Sequence, residues 1–251
     1  MTFITIPKNN LKNIRQVFID CDIEIERLIS CTFALGVELL NEDQLDMGSI
    51  LIDIGFEKIS IGLFKNLALV HSITLPIGIN HIVKDISKVC SLNLEESEII
   101  KNSIDFSFIN NSKLFDQNDY LKDSYFKNSK FRKLSKSLIL NILEARLNEI
   151  LEMIKKQITV NGLSFGNNIF ITGGGSHLLN IEDYFSNFLK LNVKKLAKNI
   201  NKEGQENFNE IFNSCLGACK IIQNGWETEA IPEKVNKNHE KIGFFARIFG
   251  H

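Results

Sequence analysis

Two glycine-bearing segments hold the groups best placed to do chemistry. In ILIDIGFEKISIGLF, residues 50–64, an apolar run ends in Asp53-Ile54-Gly55 and an alternating run follows. That pattern describes a strand, a tight turn where glycine lets the backbone approach an anion, and a returning strand. In NIFITGGGSHLLNIEDYF, residues 168–185, a short apolar strand ends in Thr172-Gly173-Gly174-Gly175-Ser176. Bare backbone and a helix start at a strand's carboxyl end are a common setting for a nucleotide. Blander readings stand beside both. The first is a plain hairpin whose turn uses Asp53 or Gly55, and the second a glycine-rich turn of an unrelated α/β protein.

The elements that would position these groups follow from the patterning. A strand is predicted at 2–6, a helix at 9–18, a strand at 24–30 and a short helix at 33–40. Three strands joined by short turns come next, at 49–54, 58–64 and 67–75, and then a helix at 80–90. Beyond a polar stretch the pattern predicts a helix at 134–157, a strand at 169–172, a helix at 181–189, a short strand near 193–196 and a helix at 209–223. Three meander strands followed by alternating helix and strand is the ribonuclease-H-like α/β order.

Composition sets outer limits. The chain has 251 residues, 44% of them hydrophobic, enough to bury a substantial core in one or two domains. With 29 basic and 30 acidic residues, no global charge recruits nucleic acid, which is not an expected partner. Five cysteines, Cys21, Cys31, Cys90, Cys215 and Cys219, are odd in number and scattered, which fits a reducing compartment and no metal. No apolar stretch approaches the roughly twenty residues needed to span a bilayer.

The carboxyl-terminal stretch has its own physics. Residues 224–240 (NGWETEAIPEKVNKNHE) are polar, contain Gly225 and Pro232, and read as a linker. KIGFFARIFGH then places Ile242, Phe245, Ile248 and Phe249 on one helical face with Phe244 at its edge, and Arg247 opposite. At a bilayer interface these side chains bury while Lys241 and Arg247 reach anionic headgroups. Four or five of them at roughly 1.5–3 kcal/mol each, less the ordering cost, give weak reversible binding. Polymerisation would multiply it through avidity. The alternative is a terminal helix docked on protein.

Taken together the chain resembles the FtsA family, actin-like bacterial cell-division proteins that tether FtsZ filaments to the inner membrane. The likeness runs through LLNEDQLDMGSILIDIG, LPIGINHIVKDIS, EARLNEILEMI, ITGGGSHL and SCLGACKII, and through the amphipathic terminus, which sugar kinases and chaperones lack. It implies an actin-like fold. Residues 1–46 would be the tail of a truncated first half, and 47–223 a complete second half with an inserted subdomain at about 93–133. A linker at 224–239 and a membrane-targeting helix at 240–251 would complete the chain. The family's first half and its inserted polymer-contact subdomain would lie before Met1.

The resemblance also implies site residues. Asp53 and Gly55 would form a phosphate loop for ATP with Mg2+, Gly173, Gly174, Gly175 and Ser176 would lie against base and ribose, and Glu98 and Lys101 would flank the nucleoside, although Glu95, Glu96 and Glu98 more blandly place negative charge in a helix's first turn. The phosphate loop departs from the family pattern: Phe56 and Glu57 stand where small residues leave room for polyphosphate, and a carboxylate there repels it, unless Lys58 points inward to offset it. No appreciable ATPase activity is therefore expected. Arg132, Lys136 and Arg146 would receive the carboxy-terminal peptide of FtsZ, steered by charge and held by apolar contacts. Lys241, Ile242, Phe244, Phe245, Arg247, Ile248 and Phe249 would bind inner-membrane anionic lipids. Self-association into actin-like polymers and contacts with other divisome proteins are the further partners implied, at the cytoplasmic face of the division site. Two other readings use the same fold: an assembly platform of a pilus or secretion machine, and a degenerate sugar-kinase-type ATPase. The latter needs a substrate-binding half and a catalytic acid.

Overall fold

The computed structural model describes residues 7–103, 119–130, 133–160, 168–196 and 211–223. Within it, residues 30–223 fall in one compact unit and 7–29 in another. The first unit is built on β1 (Ser49–Ile54), β2 (Ile59–Lys65) and β3 (Ala68–Leu75), an antiparallel meander. Ile54 faces Ile59 across the first hairpin. The second turns on Asn66 and Leu67, both at positive φ, the backbone that a two-residue hairpin matched to strand twist requires. β4 (Ile169–Thr172) pairs parallel with β1, and β5 (Val193–Lys195) parallel with β4, so the sheet order is β3-β2-β1-β4-β5.

β1 lies at the centre and is buried on both faces, which is why it reads as a continuous apolar run rather than an alternation. Ile50, Ile52 and Ile54 look toward the larger core. There they meet α4 (Asn80–Cys90), α6 (Lys136–Val160) and α7 (Ile181–Leu189). α6 contributes Leu143, Leu147, Ile150 and Ile154, a three-and-four spacing that keeps one helical stripe on the sheet. On the opposite face, Leu51, Phe64, Leu69 and Phe170 pack with Leu35, Leu40 and Leu45. These last residues come from α2 (Cys31–Leu39), the residue after it, and α3 (Glu42–Met47).

α2 crosses α8 (Asn213–Gln223) at very short range. A Cβ on Gly217 would sit 1.9 Å from the Ala34 carbonyl oxygen, so glycine is what lets the two backbones touch. Near the crossing, the buried Glu38 carboxylate meets Lys220 Nζ at 2.7 Å. α2 and α3 therefore pack on the second face of this sheet, although the sequence places a domain boundary at 46. In the other unit, α1 (Lys8–Asp20) follows Pro7 and carries an Ile14, Val17 and Phe18 stripe that is substantially exposed.

Three sequence expectations need comment. Residues 24–30 form no strand: the alternation is present, but a strand needs a ladder partner, and among the described residues none pairs with it. α3 is not expected as a separate element, and α5 (Leu94–Asn102) falls where Glu95, Glu96 and Glu98 suit a helix's first turn; both start on complete capping boxes, Asn41 with Gln44 and Asn93 with Glu96. The strand expected at 2–6 lies outside the described residues.

Candidate functional site

The site forms where the carboxyl ends of β1 and β4 lie side by side, with Asp53 registered against Thr172. After β1 the chain turns tightly, Gly55 N–H donating to the Lys58 carbonyl at 3.0 Å. A Cβ on Gly55 would stand 2.7 Å from that carbonyl oxygen, so this turn admits no side chain. The hairpin then clasps the start of α4: Ile79 N–H donates to Gly55 O at 3.1 Å and Asn80 N–H to Phe56 O at 2.8 Å.

After β4, Gly173 adopts φ +85°, and its α-carbon abuts Asp53: a Cβ there would lie 2.3 Å from Oδ1. Residues Gly174–His177 make a 3-10 turn. Ser176 closes it by donating both its N–H and its hydroxyl to the Gly173 carbonyl, at 2.9 and 2.7 Å. Gly175 leaves room for Ile54 and Ile79, while Gly174 faces open space.

Between these loops and α5 lies a cavity of about 400 Å³. It brings together five residues expected from sequence: Gly55, Glu98, Lys101, Gly174 and Gly175. Phe56, Ile79 and Leu178 supply apolar walls, and Asn102 and His177 polar ones. Lys101 is almost fully buried, and its ammonium donates to the Glu98 carboxylate at 3.2 Å. Asp53, Gly173 and Ser176 stand behind the wall rather than on it, and shape the two loops. Burial pushes the Asp53 carboxyl up from its ordinary value, with Lys58 pulling the other way.

One tie in this neighbourhood is not expected from the sequence. Glu96, buried, accepts from the Ser129 hydroxyl at 2.5 Å, from the backbone N–H of Asn128 and Ser129 at 2.7 and 2.8 Å, and from Asn93 N–H. These bonds, the Ser129 hydroxyl first among them, hold its carboxyl down to about 2 against burial. Glu96 thus ties α5, which carries Glu98 and Lys101, to the segment around 128–129. The Asn93-to-Glu96 spacing was the available signal, although a capping box does not announce a partner far along the chain.

The basic residues assigned to peptide binding lie elsewhere on the unit. Lys136, at the start of α6, pairs with Asp119 at 2.9 Å. Arg146 forks onto Asp85 of α4 at 2.5 and 2.9 Å and also meets Glu149 at 2.5 Å. Arg132 and the terminal set Lys241, Ile242, Phe244, Phe245, Arg247, Ile248 and Phe249 lie outside the described residues.

The two ends of the cavity suit different chemistry. A buried ammonium, a carboxylate, an amide and bare glycine backbone between apolar walls fit a heterocycle and its sugar hydroxyls. The hairpin end does not fit polyphosphate. The first amides of α4 are taken by hairpin carbonyls, and the Glu57 carboxylate stands beside them, accepting from Asn80 Nδ2 at 2.5 Å and Lys84 Nζ at 3.1 Å.

The five-stranded order, with helices on both faces and a cavity where β1 and β4 end, defines an actin-like α/β protein. MreB 5 of Spiroplasma citri bound to AMPPNP superposes with a TM-score of 0.64 at 18% identity, over 88% of this chain and 68% of its own. The PilM of a PilM–PilN type IV pilus biogenesis complex gives 0.60 at 14% identity, over 84% and 56%. Within that fold the chain belongs to the FtsA family: the family model for cell division protein FtsA matches residues 50–217. FtsA of Agrobacterium fabrum is 24% identical over 196 residues, covering 77% of this chain and 44% of the relative. FtsA of Bacillus subtilis is 26% identical over 79% and 44%, and that of Buchnera aphidicola 26% over 98% and 59%. The chain thus spans about half the length of the relatives it matches.

Proposed function

We propose that this chain supplies the second half of an FtsA-type adaptor, which links FtsZ filaments to the cytoplasmic face of the inner membrane during septum assembly. The observation that carries this reading is the continuous family match at residues 50–217, from the central strand β1 into α8. In this reading the nucleoside cavity is a structural device. Lys101 and Glu98 orient the sugar and base of ATP, Gly174 and Gly175 lay backbone against them, and Asp53 and Gly173 fix the loops. With Phe56 and Glu57 at the hairpin end, where polyphosphate would need room, the chain by itself is expected to show no appreciable ATPase activity.

The carboxy-terminal peptide of FtsZ is received by Arg132, Lys136 and Arg146, the last two at the start and in the middle of α6. Lys136 and Arg146 already hold Asp119 and Asp85. Acidic groups of the peptide would compete with those carboxylates, giving modest, salt-sensitive affinity. Residues 241–249 then act as an interfacial helix whose single-copy binding is weak, and self-association into polymers makes it firm.

The test is co-sedimentation with vesicles containing anionic phosphatidylglycerol, comparing the whole chain with one ending at Asn238, with and without labelled FtsZ carboxy-terminal peptide. The whole chain is expected to pellet and bring the peptide down, while the shortened one stays in solution. If neither chain pellets and no peptide binds, the adaptor reading fails.

A further inference from the structure

A helix start holds anions because its first N–H groups have no partner within the helix. At α4 those groups are already engaged. Besides the two that meet hairpin carbonyls, His81 N–H donates to Gly78 O at 3.1 Å and Ile82 N–H to Ile79 O at 3.0 Å, while Gly78 N–H faces His81 Nδ1 at 3.2 Å. Hairpin and helix backbone touch so closely that a Cβ on Gly78 would fall 2.4 Å from Phe56 O and 2.6 Å from Gly55 O. No third group fits between them.

Charge completes the closure. Phe56 and Ile79 are wall residues of the cavity, and the next residues along the chain, Glu57 and Asn80, bond to each other, with Lys84 completing the cluster. Both members of the Glu57–Lys84 pair are about half exposed, so the pair contributes little to stability. Its effect is on what approaches: Lys84 is neutralised by Glu57, Lys58 of the same turn acts on Asp53, and a carboxylate stands beside the path of any incoming polyphosphate. At the opposite end, the buried Lys101 and its Glu98 partner remain available to a neutral heterocycle and sugar.

We propose that the cavity recognises a nucleoside through base and sugar alone, and that the chain's own Glu57 carboxylate, held by the Asn80 and Lys84 side chains beside the start of α4, keeps phosphates from the hairpin end. This rests on the nucleoside reading of the cavity given above. Phosphates add no affinity, so the ligand is held whatever its phosphate count.

Equilibrium dialysis of the whole chain against adenosine, ADP and ATP, each with Mg2+ at matched ionic strength, tests this. Adenosine and ATP are expected to bind within about threefold of one another. Glu57→Gly frees Asn80 and Lys84 and should tighten ATP about tenfold while leaving adenosine unchanged. Glu57→Gln should give part of that gain by removing charge alone, and Glu57→Gly combined with Lys84→Ala should lose it. If ATP binds the unaltered chain at least about tenfold more tightly than adenosine, the inference fails and the nucleoside cavity stands. A Glu57→Gly chain that treats ATP as before also overturns the inference. If no ligand binds any of these chains, the nucleoside cavity fails with it.

Discussion

Three adjacent glycines respond differently to the same added methyl group, and that difference tests how the cavity is built. At Gly173 the backbone sits at φ +85°, ψ 171°, a region essentially reserved for glycine, where another residue costs about 1–3 kcal/mol. Its Cβ would also meet Asp53 Oδ1 at 2.3 Å and Ile54 O at 2.8 Å, adding about 1–3 kcal/mol of overpacking. Gly173→Ala should therefore destabilise by about 2–6 kcal/mol. Gly175 has no backbone penalty, but its Cβ would press Ile54 and Ile79, both buried, at 2.3 and 2.6 Å, so Gly175→Ala should cost about 1–3 kcal/mol. At Gly174 nothing lies within 4 Å, and alanine there should be neutral or stabilise by up to about 1 kcal/mol through the unfolded chain. In urea, with a slope of about 3 kcal/mol per molar, the midpoint should fall by roughly 0.7–2 M for Gly173→Ala and 0.3–1 M for Gly175→Ala, and stay or rise for Gly174→Ala. Gly174→Ala should nevertheless weaken adenosine binding, because its methyl enters the cavity. A Gly174→Ala loss as large as that of Gly173→Ala, or an unchanged Gly173→Ala, would refute the packing assigned to this loop.

Two further outcomes are expected. Glu96 has its carboxyl depressed to about 2 against an ordinary 4.5, so its stabilising contribution is complete above pH 4.5 and is lost progressively as pH falls toward 2. Urea midpoints between pH 6 and pH 3 should fall more steeply for the unaltered chain than for Glu96→Gln, and parallel profiles would remove the carboxylate from this role. Gly217→Ala gains about 1 kcal/mol of helix propensity but drives a methyl into the Ala34 carbonyl, and since backbone cannot yield cheaply the net effect should be a loss of about 1–3 kcal/mol. Calorimetry should show the melting temperature falling by several degrees, and a rise would mean that α2 and α8 do not touch there.

Much of the frame was legible because burial writes itself into pattern. β1, α4, β4 and α7 begin and end where apolar runs and turn residues place them, and the two glycine segments do meet across β1 and β4. The predicted strand at 24–30 finds no ladder partner among the described residues, and alternation records a half-buried surface without recording what pairs with it. The site was harder to read, since sequence gives residue type and not direction. Ser176 carries a hydroxyl suited to a ligand yet turns it back on Gly173, and Asp53 stands behind the glycine loop. Glu57 was visible as a misplaced charge, but its engagement by Asn80 and Lys84 depends on α4 lying alongside.

The walls of the cavity come from parts of the chain that lie far apart in sequence. β1, β2 and β3 are neighbours in sequence and can form their meander locally, whereas the parallel pairing of Ile50 with Ile169 closes a very long loop. Such long-range parallel pairing is intrinsically slow. Until it closes there is no binding cavity at all, so any bound ligand stabilises only chains whose central pair of strands has already joined. Ligand occupancy is therefore a report on completed folding, and raising ligand concentration should protect the finished chain without hastening its formation.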